Sequence, residues 1–176
     1  MKNNINFLEK KIRAIKDYPK RGITYQDITP LLRDPKAFSL AIDLCCKNVD
    51  HDIDLIAAID ARGFILGSGI AYKTGKGIIP IRKMNKLPYN VIAEKYSLEY
   101  GNDQIELHTD SIQEGQKIVL VDDVLATGGT TEAAIKLIDR LGGQLSAIIF
   151  LLELKDLNGR SKISRYTDNI HSLIKF

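Results

Sequence analysis

Apolar residues in this chain recur in two rhythms. Ile5, Leu8, Ile12 and Ile15 fall three or four positions apart, the spacing of one helix face, and predict a helix over 4–17. Tyr18-Pro19 ends it, because the residue before a proline is pushed out of the helical region. Asp34-Pro35 predicts a second helix start, with aspartate as the cap and proline at the first helical position, and Phe38, Ile42 and Cys45 form its apolar face. LIAAI at 55–59 is a continuous apolar run, the mark of a strand covered on both faces. Similar runs predict strands at 78–81, 117–121 and 145–152, and two more at 95–100 and 105–108 around a Gly101-Asn102 turn. An apolar segment with Gly67 and Gly69 predicts a helix after the first of these strands. Ala134, Leu137, Ile138 and Leu141 predict another over 130–141, with Gly142 at the capping position. Strands alternating with helices argue for an α/β fold with a mostly parallel sheet. There are no repeats and no low-complexity linker.

Composition narrows the picture. A chain of 176 residues suits one compact domain. At this size about 70% of the unfolded surface is buried, enough for a core without metals or disulfides. The net charge of +3 does not mark a nucleic-acid binder, which would show a clustered basic face, but it leaves spare cations for a small polyanionic ligand. The two cysteines, Cys45 and Cys46, are adjacent and form no spaced framework, which points to a reducing, cytoplasmic setting. No apolar stretch approaches the ~20 residues that span a bilayer. The first residues, MKNNINFLEKK, have no continuous apolar core and do not read as a secretory signal.

Ligands of open α/β sheets bind at the carboxyl ends of the strands. Three such ends here carry unusual loops: Asp60-Ala61-Arg62-Gly63, the basic run 82–86, and 122–130. In the last, Ala126, Thr127, Gly128, Gly129 and Thr130 form a small-residue loop feeding a helix. Its backbone N–H groups and the helix N-terminus suit an anion. It lacks the Gly-Lys-Ser/Thr ending of a Walker loop and the G-x-G-x-x-G of a dinucleotide fingerprint. Asp122 and Asp123 stand just before it. Consecutive strand residues point to opposite faces, so the two suit hydroxyl recognition, directly or through a divalent cation, better than sharing a proton. A sugar phosphate supplies both partners, a phosphate for the loop and a diol for an acid.

An apolar strand, two acids and Ala-Thr-Gly-Gly-Thr resemble the phosphoribosyl diphosphate (PRPP) motif of the type I phosphoribosyltransferase family. Four further stretches, in order, resemble its adenine phosphoribosyltransferase branch: YPKRGITYQDITPLLRDP at 18–35, IDARGFILG at 59–67, IRKMNKLP at 81–88 and KYSLEYG at 95–101. The likeness runs from about Tyr18 to Glu153. It implies the type I phosphoribosyltransferase-like fold: a mostly parallel central sheet flanked by helices, with a small N-terminal hood. The whole of 1–176 would be one such domain, with the hood at 1–33 and a core at 34–176 that includes a mobile loop at about 84–104. The implied activity transfers the 5-phosphoribosyl group of PRPP to adenine, giving AMP and pyrophosphate in purine salvage, with Mg²⁺ as cofactor and a homodimer as the assembly. The resemblance implies no nucleic-acid or membrane partner.

The resemblance also assigns roles. The 5′-phosphate would sit on Ala126, Thr127, Gly128, Gly129 and Thr130, and the ribose hydroxyls on Asp122 and Asp123. The pyrophosphate would meet Asp60, Ala61 and Arg62, where the family tends to a cis peptide, with Arg82, Lys83 and Lys86 offsetting charge on the leaving group. Tyr100 joins the PRPP contacts. Glu99 matches the general acid/base near adenine N7, and Arg62 is the catalytic cation. Thr24, Tyr25 and Gln26 would stack on the base and read its edge, with Leu154 as a further wall. Mg²⁺ would be held mainly by PRPP itself, reaching Asp122 or Asp123 through water. Departures from the family pattern are Tyr25-Gln26 for a phenylalanine and a basic residue, Ala61 for serine, and Met84-Asn85 for a basic-plus-glycine pair.

Two other readings stay open. A 6-oxopurine, such as hypoxanthine, guanine or xanthine, would want a side-chain donor, for which Lys155 is the candidate. A PRPP-sensing, nucleic-acid-binding regulator would need an added DNA-binding segment, and the first 34 residues lack a basic recognition helix.

Overall fold

The computed structural model describes residues 2–97 and 102–176 and divides into two compact units, with the boundary at Leu44/Cys45. In the first unit, helix α1 spans Lys2–Glu9 and buries Leu8. Strand β1 (Arg13–Lys16) pairs antiparallel with β2 (Thr24–Asp27), placing Ile15 opposite Tyr25. The connection holds a cis Tyr18–Pro19 bond and Asp17 at φ +57°, and Asp17 Oδ1 accepts from Gly22 N at 2.7 Å. The helix expected over 4–17 therefore stops at Glu9. Past Leu8 its apolar stripe has no core to face, and all four β1 residues are exposed. Pairing with β2 satisfies the backbone instead, reinforced by Arg13, which donates to Asp27 at 3.0 and 2.7 Å. Hydrogen bonds from Thr29, then Arg13, hold the Asp27 carboxyl down at about 2.

A short helix α2 (Thr29–Arg33), absent from the sequence reading, precedes α3 (Pro35–Cys46). Asp34 caps α3 as expected, its Oδ1 accepting from Lys36 N and Ala37 N at 3.0 and 3.1 Å. Ala37, Ala41, Ile42 and Cys45 are buried, and burial pushes the Cys45 thiol up to about 12.

The second unit is built on a seven-stranded sheet. Its parallel strands are β3 (Leu55–Ile59), β4 (Gly77–Lys83), β7 (Lys117–Leu125), β8 (Gln144–Glu153) and β9 (Ile170–Lys175); β5 (Val91–Ser97) and β6 (Asn102–His108) add an antiparallel hairpin at the β4 edge. The order is β5-β6-β4-β3-β7-β8-β9. Helix α4 (Arg62–Thr74) links β3 to β4, and α5 (Gly129–Arg140) links β7 to β8. The apolar runs behave as their composition requires: Ala57, Ile59, Ile81, Leu120, Ile148 and Phe150 are all buried in one core cluster. Gly67 lets α4 lie close on the sheet, since a Cβ there would stand 2.6 Å from that of Ala58. Gly142 follows α5 at φ +77°, the left-handed position that favours glycine.

The mostly parallel sheet flanked by helices is the expected one, and β3 has the expected bounds. Several strands run further than expected, β4 to Lys83 and β7 to Leu125 among them, so Arg82, Lys83, Asp122 and Asp123 belong to strands rather than to loops. The hydrogen-bond ladder continues under polar side chains, which an apolar-run criterion does not see. The last part of the chain, a 3₁₀ turn (Lys155–Leu157), α6 (Gly159–Ile163) and β9, was also absent from the sequence reading. The expected Gly101-Asn102 turn includes Gly101, which lies outside the described residues. No helix among the described residues is long and apolar enough to cross a membrane.

Candidate active site

Register places the three suspect stretches side by side. Ile59 pairs with Ile81 across β3–β4, and Ala58 with Val121 across β3–β7. Asp60, Arg82 and Asp122, one residue further on, therefore emerge at adjacent carboxyl ends of the sheet, where ligands bind in such folds.

The Asp60–Ala61 peptide is cis, as the family resemblance implied. Arg62 opens α4, and its Nη2 stands 2.8 Å from Asp123 Oδ2. Asp123 is only 4% exposed, and its Oδ2 has no well-directed hydrogen bond among the described residues. Asp122 Oδ1 accepts from the Asp123 amide at 2.8 Å and lies 3.0 Å from where a Cβ on Gly63 would be, so glycine is what lets the first turn of α4 close on this acid. Burial, and then the Asp123 charge, push the Asp122 carboxyl well up; burial also raises Asp123, with Arg62 opposing. The acids alternate along β7, and Arg62 is the cation that favours the charged form of Asp123.

Asp60 organises the basic strand. Its Oδ2 accepts from Arg82 Nε at 3.2 Å, while the Arg82 guanidinium lies 5.8 Å from the centre of the Phe64 ring. Lys83 Nζ reaches Asp103 Oδ2 at 3.3 Å, and Lys86 is exposed. The Tyr96 hydroxyl donates to Asp103 at 3.0 Å and also hydrogen-bonds with Thr130, while burial pushes it up to about 12. Lys83, Asp103, Tyr96 and Thr130 thus form a chain from the basic strand to the small-residue loop. Tyr96 and Asp103 were missed from sequence, because only pairing of β5 with β6 makes them neighbours.

The loop itself turns at Gly128, at φ +77°, directly before Gly129 opens α5. No side chain among the described residues caps α5, which leaves its first N–H groups without a side-chain acceptor there. The one acid of its first turn, Glu132, is engaged by Lys136, Lys162, Arg165 and the Tyr166 hydroxyl. A cleft of about 280 Å³ beside this turn is lined by Lys95, Lys136 and Lys162 as well as Gly129. An anion is the ligand that such a loop and such a cleft favour.

Of the other candidates, Tyr25 and Gln26 are half-buried and Thr24 is exposed in β2 of the first unit, with Tyr25 meeting the Tyr18 ring edge-on at 5.3 Å. Leu154, half-buried, follows β8 and donates its N–H to Leu125 O at 2.9 Å. Lys155 is exposed in the 3₁₀ turn. Glu99 and Tyr100 lie outside the described residues. Among the described residues no group of three or more His, Cys, Asp or Glu side chains could hold a metal ion.

A parallel sheet with an acid pair and an uncapped anion loop at the end of one strand is the type I phosphoribosyltransferase architecture. A family model described as a phosphoribosyl transferase domain matches residues 29–175. The chain is 53% identical to an adenine phosphoribosyltransferase of Thermotoga neapolitana over 170 residues, 96% of this chain and 99% of that one. Among solved structures, an adenine phosphoribosyltransferase from Thermoanaerobacter pseudethanolicus superposes with a TM-score of 0.93 at 48% identity, covering 98% of this chain and 99% of that one. One from Saccharomyces cerevisiae, complexed with an imino-altritol bisphosphate and adenine, gives 0.89 at 32% identity, covering 98% and 99%. The chain belongs to the phosphoribosyltransferases and, within them, to the adenine phosphoribosyltransferase family.

Proposed function

We propose that the protein transfers the 5-phosphoribosyl group of PRPP to N9 of adenine, releasing pyrophosphate and giving AMP. The observation that carries this reading is the convergence, at the adjacent ends of β3 and β7, of an uncapped anion loop, an acid pair of which Asp123 is buried, and the Asp60–Arg62 turn, in a member of this family. Ala126, Thr127, Gly128, Gly129 and Thr130 receive the 5′-phosphate through backbone amides and hydroxyls. Asp122 and Asp123 accept hydrogen bonds from the ribose diol, Asp123 while its Oδ2 stays ion-paired to Arg62. Arg62, Asp60 and Ala61, with Arg82, Lys83, Lys86 and Tyr100, hold the pyrophosphate. As the C1′–oxygen bond breaks and the N9–C1′ bond forms, positive charge grows on the ribose and negative charge on the leaving group. The fixed cations stabilise the latter. Glu99 moves the adenine proton near N7. Thr24, Tyr25, Gln26 and Leu154 bind the base.

Mg²⁺ fits this set. Two carboxylates side by side at the ribose position, Asp122 and Asp123, suit an ion brought in by PRPP and reached from either through water. When bound, it would offset charge on the pyrophosphate oxygens. The protein acts in the cytoplasm, a setting that suits its free cysteines, and as a homodimer. Support for the dimer comes from Ile65 and Tyr72, two turns apart on one face of α4 and exposed, Tyr72 at 92%. Sedimentation equilibrium should return twice the chain mass of 19.7 kDa; a monomer at assay concentration would contradict it.

The activity is tested by turnover with PRPP and Mg²⁺ against adenine, hypoxanthine, guanine and xanthine in competition. AMP should dominate, and preference for a 6-oxopurine would overturn the reading. Asp123→Asn should raise the KM for PRPP about 10–100-fold, the value of hydrogen bonds to a charged group, and move the KM for adenine much less. Equal effects on both substrates would refute the ribose role.

A further inference from the structure

One contact of the anion loop comes from a part of the chain with no role in the proposed site. The turn Asn158-Gly159 lies backbone to backbone against it. A Cβ on Gly159 would stand 2.2 Å from Ala126 O, 2.9 Å from Gly128 N and 3.0 Å from Ala126 C, so its three nearest neighbours are all loop backbone. The contact is reciprocal, since a Cβ on Gly128 would stand 2.8 Å from Gly159 O. Asn158, at φ +55°, turns the chain into this approach.

The next residue locks it. Arg160 donates from Nε to Glu153 Oε1 at 2.8 Å and from Nη2 to Glu153 Oε2 at 2.6 Å, a two-point fork on one carboxylate. Its Nη1 donates to Ile170 O at 3.0 Å and its Nη2 to Ser172 Oγ at 3.1 Å, both on β9. Glu153 is 5% exposed and pairs in register with Leu125, the residue just before the loop. One carboxylate therefore sits at the β8 end that aligns the entry to the loop, and also grips the residue after the turn that touches its middle.

We infer that Gly159 and Arg160 are positioning residues for the 5′-phosphate: the turn, anchored through Glu153 to β8 and β9, sets where the amides of Ala126, Thr127 and Gly128 stand. This rests on the phosphate-binding role proposed above for that loop. A cradle of backbone amides works only if its N–H groups keep their aim, and a loop of alanine, threonine and glycine has no large side chain to anchor it.

Gly159→Ala tests the idea, because one methyl group must displace Ala126 or its own turn. A misplacement of about an ångström should lower kcat/KM for PRPP on the order of 10²-fold. The KM for adenine at saturating PRPP should stay within about two-fold, as for an independent site. Arg160→Lys, which keeps the charge and loses the fork, should raise the KM for PRPP less than Arg160→Met does. This series tests the inference even if Gly159→Ala does not fold. Folded variants with unchanged KM for PRPP, or with both KM values raised by the same factor, would overturn it. Calorimetric titration of ribose 5-phosphate separates the two levels. Weaker binding to the variants than to the wild type supports the positioning role whichever base is used. A wild type that makes no AMP yet binds this ligand overturns the activity reading alone.

Discussion

Glu99→Gln should lower kcat by about 10²–10⁴-fold, the usual contribution of a positioned general acid/base, while PRPP still binds with its wild-type dissociation constant. The change keeps size and hydrogen-bonding polarity and removes the charge and the capacity to carry a proton. Adenine arrives with its proton and AMP leaves without it, so a group near N7 must handle that proton as N9 attacks C1′. The sheet-end residues are poorly suited. Asp123 is tied to Arg62 at 2.8 Å, and Asp122 accepts the Asp123 amide. Steady-state turnover paired with calorimetric titration of PRPP separates the effects. An unchanged kcat would remove Glu99 from the mechanism, and equal losses in kcat and PRPP binding would recast it as a binding residue.

Arg160→Met should cost about 3 kcal/mol of folding stability at pH 7, the scale of a buried pair that loses one partner. Arg160, first among the causes, holds the Glu153 carboxyl down from 4.5 to about 2. A carboxylate lowered on folding contributes stability that is complete above its unfolded value and lost as pH falls through its folded one. The difference between wild type and variant should therefore be full above about pH 4.5 and shrink toward pH 2. Lys175, 3.7 Å from Glu153, remains as a weaker partner and limits the loss. Urea denaturation at several pH values measures it. A difference that is small at pH 7 or grows on acidification would show that the pair is not a stabilising anchor.

The strands β3 and β8 were legible because a continuous apolar run in an α/β chain has one place to go, the covered middle of the sheet. Helix α3 was legible because Asp34 and Pro35 mark its start in the local sequence. The stretch 10–17 misled for a physical reason. Ile12 and Ile15 continue a helical rhythm, but rhythm reports a face without saying whether a core waits for it, and Arg13 finds Asp27 across a hairpin instead. At the site, the loop and acid pair were visible as residue types, and their family likeness supplied expectations for the rest. That Arg62 faces Asp123, or that Tyr96 bridges Asp103 and Thr130, was not visible, since each contact joins residues on different strands or helices.

The sequence by itself determined the α/β alternation, the family, and which short stretches carry the chemistry, because apolar periodicity, small residues and charges are local properties. Only the tertiary structure decided that Asp60, Arg82 and Asp122 share one edge, that Asp123 is buried against Arg62, and that Gly159 touches the anion loop. Strand order and register made those decisions. They depend on how distant segments pack, and no local pattern in Asn158-Gly159-Arg160 encodes the 30-odd residues of chain that its backbone reaches across.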